Sequence, residues 1–271
     1  MDDGKSARGS AWACGGAGSQ GAAARAVVGA SVGTRQVPGA RPIRRAPSLM
    51  CMDLMRIADG IAALDDFADE YHVDIIDWHY CKNMSLAPCF IEGVRGLTTR
   101  PIEAHLYVDN IDDELVRLCI ASGSTVVTMP PEVIERRAFR FAALLKEASV
   151  GFGVFLNPAT PLAVVEPYAD ALDRLLVMTV DPGFAGQELV PSTLDKIRAA
   201  AELRAARGLS FDIEVDGCCN ERFYARLREA GADTFVLGGS GLFGKDADVR
   251  RAAAVAEREL AAAGCLATGV A

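Results

Sequence analysis

The stretch IEAHLYVDNIDDELVRLCIASGSTVVTM, residues 102–129, contains one strand–helix–strand unit, and this unit decides the fold class. Residues 102–108 and 125–129 are short, rich in branched and aromatic side chains and bounded by turn residues, which predicts two strands. Residues 111–122 form an amphipathic segment with acidic residues at its start, where they favour a helix N-terminus. Two strands joined by a helix predict parallel pairing and a right-handed crossover.

The same alternation repeats from Ile43 onward. Strands are predicted at residues 47–51, 71–77, 102–108, 125–129, 151–156, 174–180, 211–217 and 234–239. Helical segments are predicted at residues 54–64, 111–122, 138–148, 194–207 and 222–230. About eight such units favour a closed barrel over an open sheet, and roughly 250 residues is the usual size of that barrel. We therefore predict an α/β protein with a single (β/α)8 barrel over residues 43–271.

Composition and charge narrow the class of protein. Hydrophobic residues make up 51% of the 271 residues, yet no apolar run approaches the roughly 20 residues that span a bilayer. Residues 1–45 carry seven Lys/Arg against two Asp/Glu, or +5, and the remainder carries 21 against 34, or −13. An acidic body argues against nucleic acid as a partner, because phosphate binding needs a basic face. We expect a cytoplasmic protein that binds neither membrane nor nucleic acid.

The N-terminal segment and the cysteines give further information on the class of protein. Residues 1–42 are rich in Gly, Ala, Ser and Arg without helical or strand periodicity, which predicts a disordered extension. A transit peptide, a dispensable extension and a start codon assigned too far upstream are all compatible with that composition. The eight cysteines show no CxxC pair, and we expect reduced thiols in a cytosolic enzyme.

Two of the three histidines occupy positions that suit a metal enzyme. His72 and Asp74 are two apart on a predicted strand and therefore share a face, and His105 lies on the next strand. Asp216 ends the seventh strand, although Asp-Gly is also a common turn dipeptide. Catalytic groups in such barrels project from the C-terminal ends of strands. Two imidazoles and two carboxylates predict a site for zinc, manganese, cobalt or iron(II).

Glycine-rich segments follow the sixth, seventh and eighth predicted strands, at residues 181–187, 217–218 and 238–241. Glycines let backbone N–H groups approach an anion closely. A phosphate site at the last strands is frequent in these barrels. Some of these glycines could instead form tight turns, but three such loops at the expected strand ends predict a bound phosphate.

These residues together resemble the ribulose-phosphate 3-epimerase family, over about 220 residues from Ala46 to the last helix. The resemblance rests on residues 47–53 (PSLMCMD), His72-x-Asp74-x-x-Asp77, 104–106 (AHL), 156–161 (LNPATP), 178–187 (MTVDPGFAGQ), 214–217 (EVDG) and 239–243 (GSGLF). Pentose-phosphate members typically carry Ser-Val-Asn and Gly-Gly-Gln where this chain has residues 179–181 (TVD) and 185–187 (AGQ). The resemblance therefore favours the hexose-phosphate branch, with D-allulose 6-phosphate and D-fructose 6-phosphate as the interconverted sugars.

The resemblance also implies a role for each position. One divalent metal ion would be bound by His72, Asp74, His105 and Asp216, with Asp74 and Asp216 also acting as the catalytic acid/base pair. It implies no organic cofactor and a homo-oligomer. The sugar phosphate would be contacted by Ser48, His105, Gly183, Phe184, Ala185, Gly186, Gly217, Cys218, Gly238, Gly239 and Ser240.

This assignment agrees with the chemistry that epimerisation needs. Inverting the carbon beside a ketone removes a proton on one face and returns one on the other, so one base on each face is the simplest solution. The intermediate is an ene-diolate, whose negative charge a divalent ion stabilises. Departures from the family pattern, including Trp78, Tyr107 and Pro130, leave the four ligand positions intact but put specificity in doubt. The alternatives are the same chemistry on D-ribulose 5-phosphate, a metal-dependent lyase, and a non-catalytic sugar-phosphate binder.

Overall fold

A computed structural model describes residues 42–266. The disorder predicted for residues 1–42 falls almost wholly outside the described residues, as do the last five residues of the predicted barrel domain. Within the described part, strands and helices alternate along the chain, as the sequence predicts. No helix among residues 42–266 combines the length and the apolar character that a membrane crossing needs.

Eight parallel strands form one sheet in which each strand pairs with its neighbour along the chain, and β1 pairs with β8. Ser48, directly after β1, forms a parallel bridge with His72 of β2, so the two ends of the sheet meet. The predicted (β/α)8 barrel is confirmed. The strands are β1 Arg44–Pro47, β2 Tyr71–Ile76, β3 Ile102–Tyr107, β4 Val126–Met129, β5 Gly151–Leu156, β6 Arg174–Met178, β7 Asp212–Asp216 and β8 Thr234–Leu237.

Helices cover the outside of the barrel. The acidic start predicted for the helix after β3 is confirmed, because the Asp112 side chain caps α3 by accepting a hydrogen bond from the backbone N–H of Leu115 at 2.9 Å. Residues 49–51, 54–56 and 162–171 are 3-10 helical, and residues 239–243 form a π-helical turn. The α-helices are α1 Ile57–Leu64, α2 Pro88–Arg95, α3 Asp113–Ala121, α4 Pro131–Ile134, α5 Ala138–Glu147, α6 Ser192–Arg207, α7 Tyr224–Ala230 and α8 Val249–Ala262.

The position predicted for the first strand, residues 47–51, is wrong. The strand is Arg44–Pro47, and Leu49–Cys51 is a 3-10 helix. Two neighbouring arginines do not suggest a barrel strand, but both are paired at the bottom of the barrel. Arg44 donates to Asp212 at 2.7 Å and Arg45 donates to Asp69 at 2.8 Å. Ser48 consequently follows the strand and faces the catalytic end.

The two faces of the sheet differ in character because side chains alternate along each strand. The outward-facing residues of the strands, such as Val73, Leu106 and Val215, are fully buried against the helices and form the main hydrophobic core. The inward face is largely polar and includes Glu103 and Glu214, each at most 1% exposed. These acids therefore enter a polar barrel interior.

Packing inside the barrel predicts a stability difference between two Gly→Ala substitutions. A Cβ at Gly153 would lie 2.2 Å from the Thr128 hydroxyl and 3.1 Å from the Thr128 Cα, whereas one at Gly93 of α2 would meet nothing within 4 Å. We expect Gly153→Ala to lower the free energy of unfolding by about 1–3 kcal/mol through overpacking. Gly93→Ala should raise it by about 0.5–1 kcal/mol, since alanine favours the helix. Urea denaturation of both variants tests this, and equal effects would contradict it.

Candidate metal centre and substrate cleft

Four side chains predicted to bind a metal converge inside the barrel. His72 Nε2 lies 3.0 Å from His105 Nδ1 and 3.1 Å from Asp74 Oδ1, and His105 Nδ1 lies 3.4 Å from the same carboxylate oxygen. Asp216 Oδ2 lies 3.9 Å from each of these imidazole nitrogens. One potential ligand atom from each of the four residues falls within 4.8 Å of the others.

Strand register explains this convergence. Asp74 of β2 pairs directly with His105 of β3, so the two side chains lie side by side on the inward face. His72 is two residues before Asp74 and points the same way. Asp216 is the last residue of β7 and reaches the cluster from another part of the barrel wall.

Hydrogen bonds orient the two carboxylates of this cluster. The Ser48 hydroxyl donates to Asp74 Oδ2 at 2.8 Å, which leaves Oδ1 directed at the imidazoles. The Tyr107 hydroxyl lies 3.1 Å from the sulfur of Met178 and 3.4 Å from Asp216 Oδ2. Ser48 and His72 therefore each engage one oxygen of the Asp74 carboxylate.

Burial and neighbouring charges shift the pKa values of Asp74 and Asp216 in opposite directions. Burial opposes ionisation of Asp74, but the charges and hydrogen bonds of His72 and His105 outweigh it and lower the pKa of Asp74. Burial, followed by the negative charge of Asp74, raises the pKa of Asp216. A divalent cation beside both groups would favour the ionised form of each.

The donor set fits a borderline divalent cation. Two imidazole nitrogens and two carboxylate oxygens are ligands that zinc and its neighbours accept, with metal–nitrogen distances of about 2.0–2.1 Å. Imidazole nitrogens 3.0 Å apart can both approach one such ion. The two aspartates would also neutralise its charge in a site where His72 and His105 are fully buried.

A cleft opens above this cluster at the C-terminal ends of the strands. The structure brings together all of the predicted substrate-contacting residues, with His105 in the cluster below and the rest in the cleft lining. Gly217 at φ 99° is required there, because a Cβ would lie 2.8 Å from both Thr179 Oγ1 and Val180 Cγ2. The lining consists of Ser48, Met50, Cys51, Asp74, Ile76, Tyr107, Met178, Val180, Asp181, Gly183, Phe184, Ala185, Gly186, Asp216, Gly217, Cys218, Gly238, Gly239 and Ser240.

The loop after β6 is tied down by side chains that the sequence analysis did not single out. Asn83 donates from Nδ2 to the carbonyl of Gly183 at 2.7 Å, and Gln187 donates to the carbonyls of Asp181 and Phe184 at 2.6 and 2.9 Å. Gln187 ends the quoted motif 178–187, which was the available signal for it. Phe184 itself remains 56% exposed at the mouth of the cleft.

Three further residues missed by the sequence analysis as site components lie below the metal cluster. Glu103, Arg174 and Glu214 come from β3, β6 and β7 and are each at most 3% exposed. Glu103 Oε2 lies 2.7 Å from His72 Nδ1, the ring nitrogen that faces away from the cluster. The signal for Glu103 was its spacing, two residues before His105 on the same strand face.

Other positions have ordinary surroundings. The side chain of His79 is 75% exposed. Trp78 is 50% exposed and lies outside the lining of the cleft, whereas Tyr107 is part of it. The seven cysteines between residues 42 and 266 are all free thiols.

A separate cavity of about 570 Å³ opens at the opposite end of the barrel. Arg44, Arg45, Asp69, Asp212 and Asp233 are among its lining residues, and their ion pairs close the bottom of the barrel. Conserved chemistry in these barrels sits at the other end. This cavity therefore lies at the end of the barrel that stabilises the fold, whereas the cleft lies at the end where catalytic groups are found.

Comparison with known proteins identifies the family. The model of the ribulose-phosphate 3 epimerase family matches residues 44–243. The chain is 36% identical over 213 residues to ribulose-phosphate 3-epimerase 2 of Cupriavidus necator, covering 77% of this chain and 88% of that protein. It is 37% identical over 195 residues to the ribulose-phosphate 3-epimerase of Escherichia coli, covering 71% and 86%. The chain belongs to the ribulose-phosphate 3-epimerase family, and the prediction of an isomerase is confirmed.

Solved structures confirm the fold at lower identity. A 3-hexulose-6-phosphate synthase from Salmonella typhimurium matches 82% of this chain and 100% of its own, with a TM-score of 0.63 and 15% identity. A variant tryptophan synthase α-subunit from Pyrococcus furiosus matches 81% of this chain and 96% of its own, with a TM-score of 0.59 and 15% identity. Both matches concern the arrangement of the chain alone.

The cluster predicts stabilisation by a divalent metal. A ligand that binds only the folded state at 100 times its dissociation constant stabilises it by about 2.7 kcal/mol. We expect zinc to raise the unfolding temperature of the full chain, and His105→Gln to reduce that rise. His79→Gln is the matched control, because His79 lies outside the cluster. Differential scanning calorimetry checks this, and an equal rise in the His105 variant and the wild type would contradict it.

Proposed function

We propose that this protein is a metal-dependent sugar-phosphate 3-epimerase that interconverts D-allulose 6-phosphate and D-fructose 6-phosphate. The observation that carries the proposal is the convergence of Asp74 and Asp216, with two buried histidines, on one cleft lined by three glycine-rich loops. Membership of the ribulose-phosphate 3-epimerase family supports the reaction class.

Asp74 and Asp216 are the two bases in this proposal. They come from β2 and β7 and both line the cleft, so a substrate bound between them presents one face of carbon 3 to each carboxylate. One aspartate removes the proton and the other returns a proton from the opposite face. Ser48 holds Asp74 through Oδ2, and Tyr107 approaches Asp216 at its Oδ2 atom, so each base has a neighbour that restrains it.

One divalent ion, of the group zinc, manganese, cobalt and iron(II), would be held by His72, Asp74, His105 and Asp216. When bound, it supplies positive charge for the ene-diolate oxygens of the reacting sugar. No organic cofactor enters the proposal, because proton removal and return need only the two carboxylates and this charge.

The phosphate is assigned to the glycine-rich loops after β6, β7 and β8. Gly183 to Gly186, Gly217-Cys218 and Gly238 to Ser240 border the same cleft as the aspartates. Backbone amides can approach an anion closely at glycines. Asn220 donates to the Ser240 hydroxyl at 3.2 Å, which links the loops after β7 and β8.

The choice of a hexose phosphate rests on residues 179–181 (TVD) and 185–187 (AGQ). D-Ribulose 5-phosphate is the second candidate, and the names of the relatives from Cupriavidus necator and Escherichia coli favour it. A homo-oligomer of this cytoplasmic enzyme completes the proposal, in line with the family resemblance.

The two-base mechanism predicts the effect of isosteric amides. Asp74→Asn and Asp216→Asn each remove the base on one face, so we expect each to lower turnover by about 10²–10⁴-fold. Asp109→Asn is the matched control, since Asp109 is exposed and outside the cleft lining. Proton NMR in heavy water follows the reaction, with deuterium expected at carbon 3 of the intact sugar. Unchanged turnover in either cleft variant would contradict the mechanism, and cleavage of the sugar would favour a lyase.

Substrate preference is tested separately. We expect kcat/KM for D-allulose 6-phosphate to exceed that for D-ribulose 5-phosphate by about 10-fold or more, because one additional recognised group in a pocket is worth that much. Both sugars are assayed on the same cobalt-loaded full chain. A preference for the pentose would overturn the hexose assignment and leave the epimerase intact, whereas no turnover of either sugar would favour the non-catalytic binder.

A further inference from the structure

A buried ion network lies directly beneath the proposed metal site. The Nη1 atom of Arg174 is 2.9 Å from Glu70 Oε1, 3.1 Å from Glu103 Oε2 and 3.2 Å from Glu214 Oε2. The Arg174 side chain is only 3% exposed, and the three glutamates are at most 4% exposed. The Arg174 guanidinium therefore faces three buried carboxylates in the barrel, of which Glu70 also lies 3.6 Å from Arg44 Nη2.

Glu103 connects this network to the metal cluster. Its Oε2 atom lies 2.7 Å from His72 Nδ1 as well as 3.1 Å from Arg174, and its Oε1 atom accepts from the Thr128 hydroxyl. Both carboxylate oxygens are thereby engaged, so the Glu103 side chain has one fixed orientation. Because an ionised carboxylate only accepts, the nitrogen of His72 that faces it must carry the proton.

We propose that Glu103, held by Arg174 and Thr128, is a positioning residue that keeps His72 protonated on Nδ1 and directs its Nε2 lone pair at the metal. The proposal rests on the metal site of the proposed function. Ligating histidines in metalloproteins usually donate their second N–H in this way, which fixes the ring and strengthens the ligand. Here the acceptor is itself fixed by a guanidinium from β6, three strands away in the sheet order.

The same geometry argues against a second metal in the barrel. His72, Glu103 and Glu214 offer ligand atoms within 4.8 Å of one another and could by composition hold an ion. Yet His72 Nδ1 is already 2.7 Å from Glu103, and Arg174 lies within 3.2 Å of both glutamates. An ion placed there would meet the guanidinium charge. The network therefore predicts one metal ion per chain.

Cobalt(II) titration of the metal-free full chain, followed by the visible absorption of bound cobalt, tests both statements. We expect one cobalt per wild-type chain and about 10–100-fold weaker binding in Glu103→Gln. Glu70→Gln is the matched control, because Glu70 is equally buried and bonds Arg174 but has no contact with His72 among the interactions of the described residues. Its cobalt affinity should equal that of the wild type.

The possible outcomes separate the hypotheses. Equal cobalt affinity in Glu103→Gln and the wild type, or equal losses in both glutamate variants, would overturn the positioning role. Two cobalt ions per chain would overturn the prediction of a single metal ion. No cobalt binding by the wild type would instead overturn the proposed metal site.

A measurement on the wild type keeps the inference testable if Glu103→Gln does not fold. Nitrogen-15 NMR of the zinc-loaded full chain resolves the imidazole nitrogens of its three histidines. We expect His72 to be protonated at Nδ1 and to lack a proton at Nε2. A proton on Nε2 in the zinc-loaded protein would overturn the inference.

Discussion

The barrel depends on the pairing of carboxylates that its interior buries. An unpaired buried charge costs several kcal/mol, and the inward face carries acids in three successive layers. At the bottom, Asp212 meets Arg44, and in the middle Arg174 meets Glu70, Glu103 and Glu214. In the top layer the acids are Asp74 and Asp216, and there the structure, over residues 42–266, provides only the imidazoles of His72 and His105 as cationic partners. The divalent cation proposed for this site would complete the series.

This layering is possible because the two faces of the sheet have separate tasks. The outward faces of the strands pack against the helices and supply the apolar burial that stabilises the fold. The inward face is therefore free to hold charges, provided that each layer is balanced. Val215, between Glu214 and Asp216, illustrates the division, since it is fully buried in the outer core while both neighbours point inward. A one-residue shift in register would exchange the two sets.

Much of the architecture could be predicted, because strand alternation and chemistry within a strand are local properties. His72 and Asp74 are recognisable from their spacing within β2, and Asp216 is recognisable from its position at the end of β7. The Arg174 network is not, since members such as Glu103 and Arg174 are 71 positions apart in the chain. Likewise, the pairing of Arg44 of β1 with Asp212 of β7, two strands away in the sheet order, cannot be seen in the sequence around Arg44. Helices α2 and α4 begin at prolines and have only 8 and 4 residues. They are therefore too short to show the periodic pattern from which a helix is predicted.

The residues proposed for the reaction and the wall of the cleft that could select a substrate lie at different levels of the barrel. The proposed metal ligands lie on β2, β3 and β7, whose positions are fixed by pairing with neighbouring strands. Above the proposed ligands, Tyr107, one of the departures from the family pattern, places a hydroxyl 3.4 Å from Asp216. A hydroxyl there adds a hydrogen-bonding group to a wall that also contains Ile76 and Met178. Because a site built to hydrogen-bond one substrate rejects an analogue more strongly than an apolar wall does, the Tyr107 hydroxyl couples the choice of substrate to the environment of the proposed base Asp216.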